Sequence, residues 1–306
     1  MGVHGMLQLP AALLGTILAT TASLMFAFQF LFVRLGTQEG SVSDVIWFSL
    51  LSNVVILVPP TLVLYDFSMS TKAMLAFAGA GLSGSLFARI CMFTSIKRLG
   101  ASRTSPVVAS NALFATLLAV VVLDETLTAV HFLGVVLIVA GVALISYETA
   151  ERKSVDLARR ELALLFFVPI LAAVFLGIEP IFISIALDAG GSIIPGTTIV
   201  VTTAFVGFTV YAWAGSGLPS PSVVQQPFLK WYLAAGVTTT FGLLAVFTAL
   251  QTASVVIAVP LIQTSPLLVI GLSTLFLSSQ LERVTPAVLV STVIIIIGAT
   301  IVSLSG

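Results

Sequence analysis

The sequence predicts an all-α integral membrane protein of ten transmembrane helices, arranged as two inverted five-helix repeats. Three observations predict it: scarce charge, apolar runs of helix length, and a duplicated stretch. Only 8% of the 306 residues are charged and 58% are hydrophobic, whereas a soluble domain carries roughly 25% charged residues. A spanning helix needs about 20 mostly apolar residues. The apolar runs repeatedly reach that length between short polar breaks. Outer-membrane barrels are excluded, because their strands are about 10 residues long and alternate in polarity.

The predicted segments are 11–33, 45–65, 73–95, 104–123, 129–147, 162–187, 195–214, 231–250, 255–277 and 287–304. The first is read as a retained helix, because Met1 to Leu9 holds no Lys or Arg and so lacks the basic start of a signal peptide. The second carries Asn53, read as structural. Along the third, Ala76, Ala80, Gly84 and Ala88 form a small-residue stripe that permits close helix approach, and Arg89 follows. The fourth contains Pro106 and Asn111. The fifth ends in the charged stretch 148–161, ETAERKSVDLARRE, where eight of fourteen residues are charged. That stretch reads as a solvated linker between a first repeat at 1–147 and a second at 162–306. The sixth segment contains Glu179 and Pro180. The seventh is defined by its length alone, the eighth by the cluster Thr238-Thr239-Thr240, and the ninth by Gln263 and Pro266. The tenth closes the duplicated half.

The duplication is clearest at the repeat ends. Residues 125–146 (ETLTAVHFLGVVLIVAGVALIS) align without gaps on 282–303 (ERVTPAVLVSTVIIIIGATIVS), so that Glu125, Thr128, Gly141 and Ser146 meet Glu282, Thr285, Gly298 and Ser303. Phe93-Thr94 matches Phe247-Thr248, and Phe26-Ala27-Phe28-Gln29 can be laid on residues 175–179. A unit that crosses the membrane five times ends on the opposite face, so its copy is inserted upside down. Inverted repeats recur in secondary transporters, with the substrate site near the midplane where the repeats meet.

The run Leu123-Asp124-Glu125-Thr126-Leu127-Thr128, followed by Gly134 and Ala140-Gly141, resembles the end of the repeat in EamA-type proteins of the drug/metabolite transporter superfamily. The second copy keeps Glu282 and Gly298 but has Ser291 in place of Gly134. The resemblance implies a central cavity lined mainly by segments one, three, four, six, eight and nine. It implies export of amino acids or other small metabolites, or movement of sugars and nucleotide-sugars. The family's proline in segments four and nine is loosely matched by Pro106 and Pro266.

Candidate substrate-binding residues are Glu179, Arg89, Gln29, Asn111, Gln263, Phe28 and Phe175. Only Arg89 and Glu179, among 24 formal charges, lie well inside segments. A charge at the bilayer centre costs about 2.5–3.5 kcal/mol on insertion scales, so such residues face a bundle interior or a wet cavity. Glu179 could bind a substrate ammonium, a proton or another cation; its bland alternative is a hydrogen-bonded carboxyl at a helix contact. Pro180 frees a carbonyl one turn back. Arg89 and Glu179 are displaced toward opposite faces by roughly 15 Å at 1.5 Å per residue, which argues against a direct salt bridge. A substrate could bridge them, or Arg89 could snorkel to the nearby face. Gln29 shares Arg89's half of the membrane. Asn111 and Gln263 are polar at depth, with an interhelical hydrogen bond as the alternative. Phe26, Phe28, Phe30, Phe175 and Phe182 cluster near Gln29 and Glu179. Gly141 and Gly298 read as packing positions, and Glu125 and Glu282 as caps or rim contacts.

Zero net charge without a basic stripe argues against nucleic acid. Cys91 stands alone, so no internal disulfide forms. Two histidines, no HExxH and no GxSxG spacing argue against an intramembrane enzyme, and no cofactor is expected. A channel or facilitative pore is the alternative, though no filter motif is visible. Densely anionic substrates such as nucleotide-sugars normally need several Lys or Arg groups. The expected partners are therefore a neutral or zwitterionic small molecule and membrane lipid, with proton or cation coupling open to Glu179. Ten cations (Arg34, Lys97, Arg98, Arg103, Arg152, Lys153, Arg159, Arg160, Lys230 and Arg283) fall on the side of the odd-numbered loops, against Lys72 on the other. Positive-inside reasoning puts linker 148–161 in the cytoplasm of a cell whose plasma membrane holds the protein, and both termini outside. Family relatives are usually described with cytoplasmic termini.

Overall fold

Apolar helices dominate because a bilayer leaves each backbone N–H and C=O to be satisfied within its own segment. The computed structural model describes residues 11–122, 129–153, 159–215, 217–252, 261–278, 281 and 284–304. Its helices are α1 (Ala11–Glu39), α2 (Val42–Leu64), α3 (Thr71–Leu99), α4 (Ala101–Val122) and α5 (Ala129–Lys153). They continue with α6 (Arg159–Asp188), α7 (Ile193–Ala214), α8 (Leu229–Thr252), α9 (Ser265–Phe276) and α10 (Pro286–Leu304). Among the described residues there is no strand. Seven helical spans there are long and apolar enough to cross a membrane, and Ala129–Ile145, Ser265–Phe276 and Pro286–Ile301 are shorter apolar helices. Residues 253–260, which include the start of the predicted ninth segment at 255, lie outside the described residues, as do 123–128, with the repeat-end run and Glu125, and Glu282.

The packing respects the division into halves. α1 packs on α8 and α3 on α6; α2 meets α8 while α7 meets α3; α1 meets α9 while α6 meets α4. Each pair becomes the next when the halves are exchanged. α2 packs on its own counterpart α7, and α5 on α10. Small residues bring the last pair together. A Cβ on Gly141 would lie 2.9 Å from the Ser291 carbonyl, and one on Gly298 would lie 2.7 Å from the Gly134 carbonyl. Gly134 and Ser291 are themselves repeat equivalents, so the two contacts are reciprocal. They also show α5 and α10 running antiparallel.

Two capping contacts tie one rim. Arg34 of α1 donates through Nη1 to the carbonyls of Lys97 (2.9 Å) and Ile96 (3.2 Å) at the end of α3, and through Nη2 to Leu281 (2.7 Å). Lys97 returns the contact, donating to the Gly40 carbonyl at 3.0 Å. Cations near helix C-termini satisfy orphan carbonyls and meet the negative end of the dipole. Gly100, with φ of 94°, makes the tight joint between α3 and α4.

At the same rim the charged stretch 148–161 is helical at both of its described ends. α5 runs on to Lys153 and α6 starts at Arg159, with 154–158 outside the described residues. Glu148 is buried: Arg103 donates to it from Nε at 3.4 Å and Nη2 at 3.3 Å, and Thr285 donates at 3.2 Å. Arg103, predicted in a loop, is the third residue of α4.

Candidate substrate site

Two interrupted helices that pack on each other line a central cavity. α4 breaks at Ser110, whose N–H and hydroxyl both bond to the Val107 carbonyl (3.1 and 2.6 Å) while Leu113 N bonds back to Ser110 O (3.0 Å). Thr264, ahead of α9, repeats the pattern: N–H and hydroxyl to Leu261 O (3.2 and 2.6 Å), and Leu267 N to Thr264 O (2.9 Å). Pro106 stands four residues before Ser110, and Pro260 four before Thr264. Pro260, rather than Pro266, is therefore the sequence equivalent of Pro106, although it lies outside the described residues. Both breaks present side chains to one space: Val108, Ala109 and Asn111 from α4, and Ile262, Gln263 and Ser265 at α9.

The cavity measures about 230 Å³ and is also walled by α1, α3, α6 and α8. α1 contributes Phe26, Gln29 and Phe30; α6 contributes Leu176 and Glu179. Phe26 and Gln29 have the same spacing as Leu176 and Glu179, which makes Gln29 the counterpart of Glu179. α3 contributes Gly84, Ser85, Arg89 and Met92, and α8 contributes Thr239 and Leu243. In the register set by Phe93 and Phe247, Ser85 answers Thr239 and Arg89 answers Leu243. The wall is thus a near-symmetric frame with unequal chemistry. Arg89 and Glu179 face it from α3 and α6, and Leu243 and Gln29 take the equivalent places on α8 and α1.

Local backbone geometry brings the two charges to one side. Residues Gly81–Ala88 of α3 form a π-helical stretch, in which i→i+5 bonding stacks residues five apart. Gly84 and Arg89 have that spacing. A Cβ on Gly84 would collide with the carboxylate of Glu179, so glycine there seats the acid against α3, one turn before Arg89. Among the described residues Glu179 has no hydrogen bond, and no ion pair within 4 Å joins it to Arg89.

Arg89 is buried and its Nη1 donates to Asn53 Oδ1 at 2.9 Å and to Ser49 Oγ at 3.4 Å. Asn53 in turn donates from Nδ2 to Gly236 O at 2.8 Å and Thr240 Oγ1 at 2.7 Å. Its amide is fully used, so the guanidinium is held on α2, through a residue itself tied to α8, instead of snorkelling to a face. The Phe93 ring lies 5.9 Å from the guanidinium carbon.

Five predicted residues (Glu179, Arg89, Gln29, Asn111 and Gln263) therefore meet at one cavity. Phe28 and Phe175 are not among its lining residues: Phe28 stacks on Phe32 at 5.7 Å, and Phe175 meets Phe87 at 5.4 Å. Their helices turn Phe26 and Leu176 inward instead. Ser85, Ser105, Met92 and Leu243 line the cavity without having been singled out; the Ser105 hydroxyl has no hydrogen-bond partner among the described residues. Helical spacing from Arg89 could have found Ser85 and Met92.

The EamA-like transporter family model matches residues 13–147 and 162–304. The chain belongs to the EamA-like transporter family. The two matched stretches coincide with the two halves of this EamA-like transporter, which is a multi-pass membrane protein of the drug/metabolite transporter type. No curated protein matches the chain. Sixteen solved chains do. One of them, described as a crystal structure of a protein, superposes with a TM-score of 0.62 at 14% identity, over 96% of this chain and 98% of its own. That likeness concerns the fold.

Proposed function

We propose that this EamA-like protein is a secondary transporter that exports a small neutral or zwitterionic metabolite, amino acid-like with an apolar group, by alternating access. In this reading ten helices form inverted repeats around a midplane cavity. Arg89 takes a substrate carboxylate, and Glu179 takes an ammonium or exchanges a coupling proton or cation. Gln29, Asn111 and Gln263 supply neutral hydrogen bonds. The observation that carries the reading is the unequal cavity wall, with opposite charges on α3 and α6 that form no salt bridge, and with Leu243, Phe26 and Phe30 as its apolar part. The antiparallel, reciprocal contact of α5 with α10 supports inversion. Enzymatic activity plays no part in this reading, which also places the protein in the plasma membrane with linker 148–161 cytoplasmic. A reporter fused to the C-terminus tests that orientation, with a cytoplasmic signal reversing it.

Counterflow in proteoliposomes tests the transport reading. Vesicles preloaded with a mixture of unlabelled amino acids should accumulate the labelled counterpart, and Glu179→Gln should lose most of that accumulation. Single-channel current without counterflow would establish a pore instead. Unchanged activity and pH dependence in Glu179→Gln would remove Glu179 from the site.

A further inference from the structure

Glu179 faces two spaces. Beyond the central cavity a second chamber of about 20 Å³ is lined by Phe77, Glu179, Ile183, Ile193, Thr197, Val200 and Leu243. Only Glu179 and Leu243 belong to both walls. The chamber lies toward the face at which α6 ends and α7 begins. Ile193 and Thr197 are in the first two turns of α7, Ile183 is near the end of α6, and Phe77 is in the second turn of α3.

Repeat symmetry explains why the space exists. α2 and α7 both begin after a serine N-cap, Ser41 and Ser192, which makes Ser49 and Asn53 the counterparts of Val200 and Ala204. In the first half Arg89 reaches across to Ser49 and Asn53 and fills the equivalent place. In the second half Leu243 is shorter and stops before α7, leaving room beside Glu179. A cavity needs about 10–15 Å³ to hold one water, and that water needs at least two polar partners. Thr197 donates its hydroxyl proton to Ile193 O at 2.8 Å, so its oxygen is left to accept. The Glu179 carboxylate is the second acceptor.

We propose that this chamber holds a water that connects Glu179 to the α6–α7 face, giving the carboxyl a proton route separate from the substrate cavity. The proposal rests on the assignment of Glu179 as a cation-exchanging group. A proton arriving from that face passes from the chamber water to a Glu179 oxygen, leaving the acid neutral and the water unchanged in number; the reverse step returns it. The space is too small for a metabolite, so substrate uses the larger cavity and the proton uses the chamber. The charged group sharing a wall with Glu179 is Arg89. On the other elements packed around α6, Lys72, Lys97 and Arg98 lie near the ends of α3 and Arg103 is paired with Glu148. Neither α7 nor α8 puts a charge on either wall.

The test modifies Glu179 with dicyclohexylcarbodiimide, which reacts with protonated carboxyls, in right-side-out and inverted membrane vesicles holding the full chain. Peptide mass reads the modification while pH is set independently on each side. Raising pH at the α6–α7 face should lower modification by about tenfold per unit once the acid is mostly ionised. The same change at the opposite face should not. Thr197→Val should remove this sidedness, Thr197→Ser should keep it, and both should retain amino-acid counterflow. Modification that follows the opposite face, or follows both faces equally, overturns the route; so does full sidedness in Thr197→Val. If sided modification persists in a protein with no counterflow, the transport reading fails and the route stands.

Discussion

Arg89 on α3 is held by Asn53 on α2, which spends its remaining amide hydrogens on the Gly236 carbonyl and Thr240 of α8. One neutral side chain therefore fixes a buried cation and joins three helices from both halves. Gly236 allows this closeness, since a Cβ there would lie 2.5 Å from the Ser49 carbonyl.

Asn53→Ala should cost about 1–3 kcal/mol, the penalty for leaving buried polar groups unmatched. Thermal unfolding in detergent checks it. Asn53→Asp keeps the acceptor for Arg89 and should recover part of the loss. Equal melting temperatures for wild type and Asn53→Ala would show that the guanidinium finds another partner.

Gly84→Ala addresses the seat of the acid. The added methyl occupies the place of the Glu179 carboxylate, so the side chain must turn away or the helices must part, at about 1–3 kcal/mol for an overpacked site. Transport should fall to the level of Glu179→Gln while the protein remains folded and monodisperse. Wild-type transport in Gly84→Ala would mean that carboxylate position is unimportant.

Glu148→Gln leaves the buried Arg103 without its charge partner. Removing one member of a buried pair costs about 3–5 kcal/mol, and the Thr285 contact to α10 weakens with it. The expected readout is a large drop in thermal stability, partly reversed by Arg103→Gln in the same chain. Additive losses in the double variant would count against coupling between the two.

Much of this arrangement is legible in the sequence. Scarce charge and segment length dictated helices, and the match of 125–146 with 282–303 exposed the duplication. Arg89 and Glu179 stood out because a deep charge is expensive and must face something polar. The aromatic pair Phe28 and Phe175 misled because hydrophobic residues surround a helix that lipid and protein both cover, so no polar stripe marks the inward face. Asn53 looked merely structural because nothing in segment two records which cation lies opposite.

The sequence by itself determined that the chain lives in a bilayer, that its halves are copies, and that two charges lie deep within its apolar segments. Those are consequences of local composition, since each apolar segment satisfies its own backbone. Tertiary structure decided the rest: the seat of Glu179 on Gly84, the clasp of Asn53 on Arg89, and the gap left where Leu243 replaces an arginine. Each depends on which helices touch and in what register. Between helices in lipid that choice is made by small-residue packing and cross-helix hydrogen bonds, and both join residues far apart in the chain.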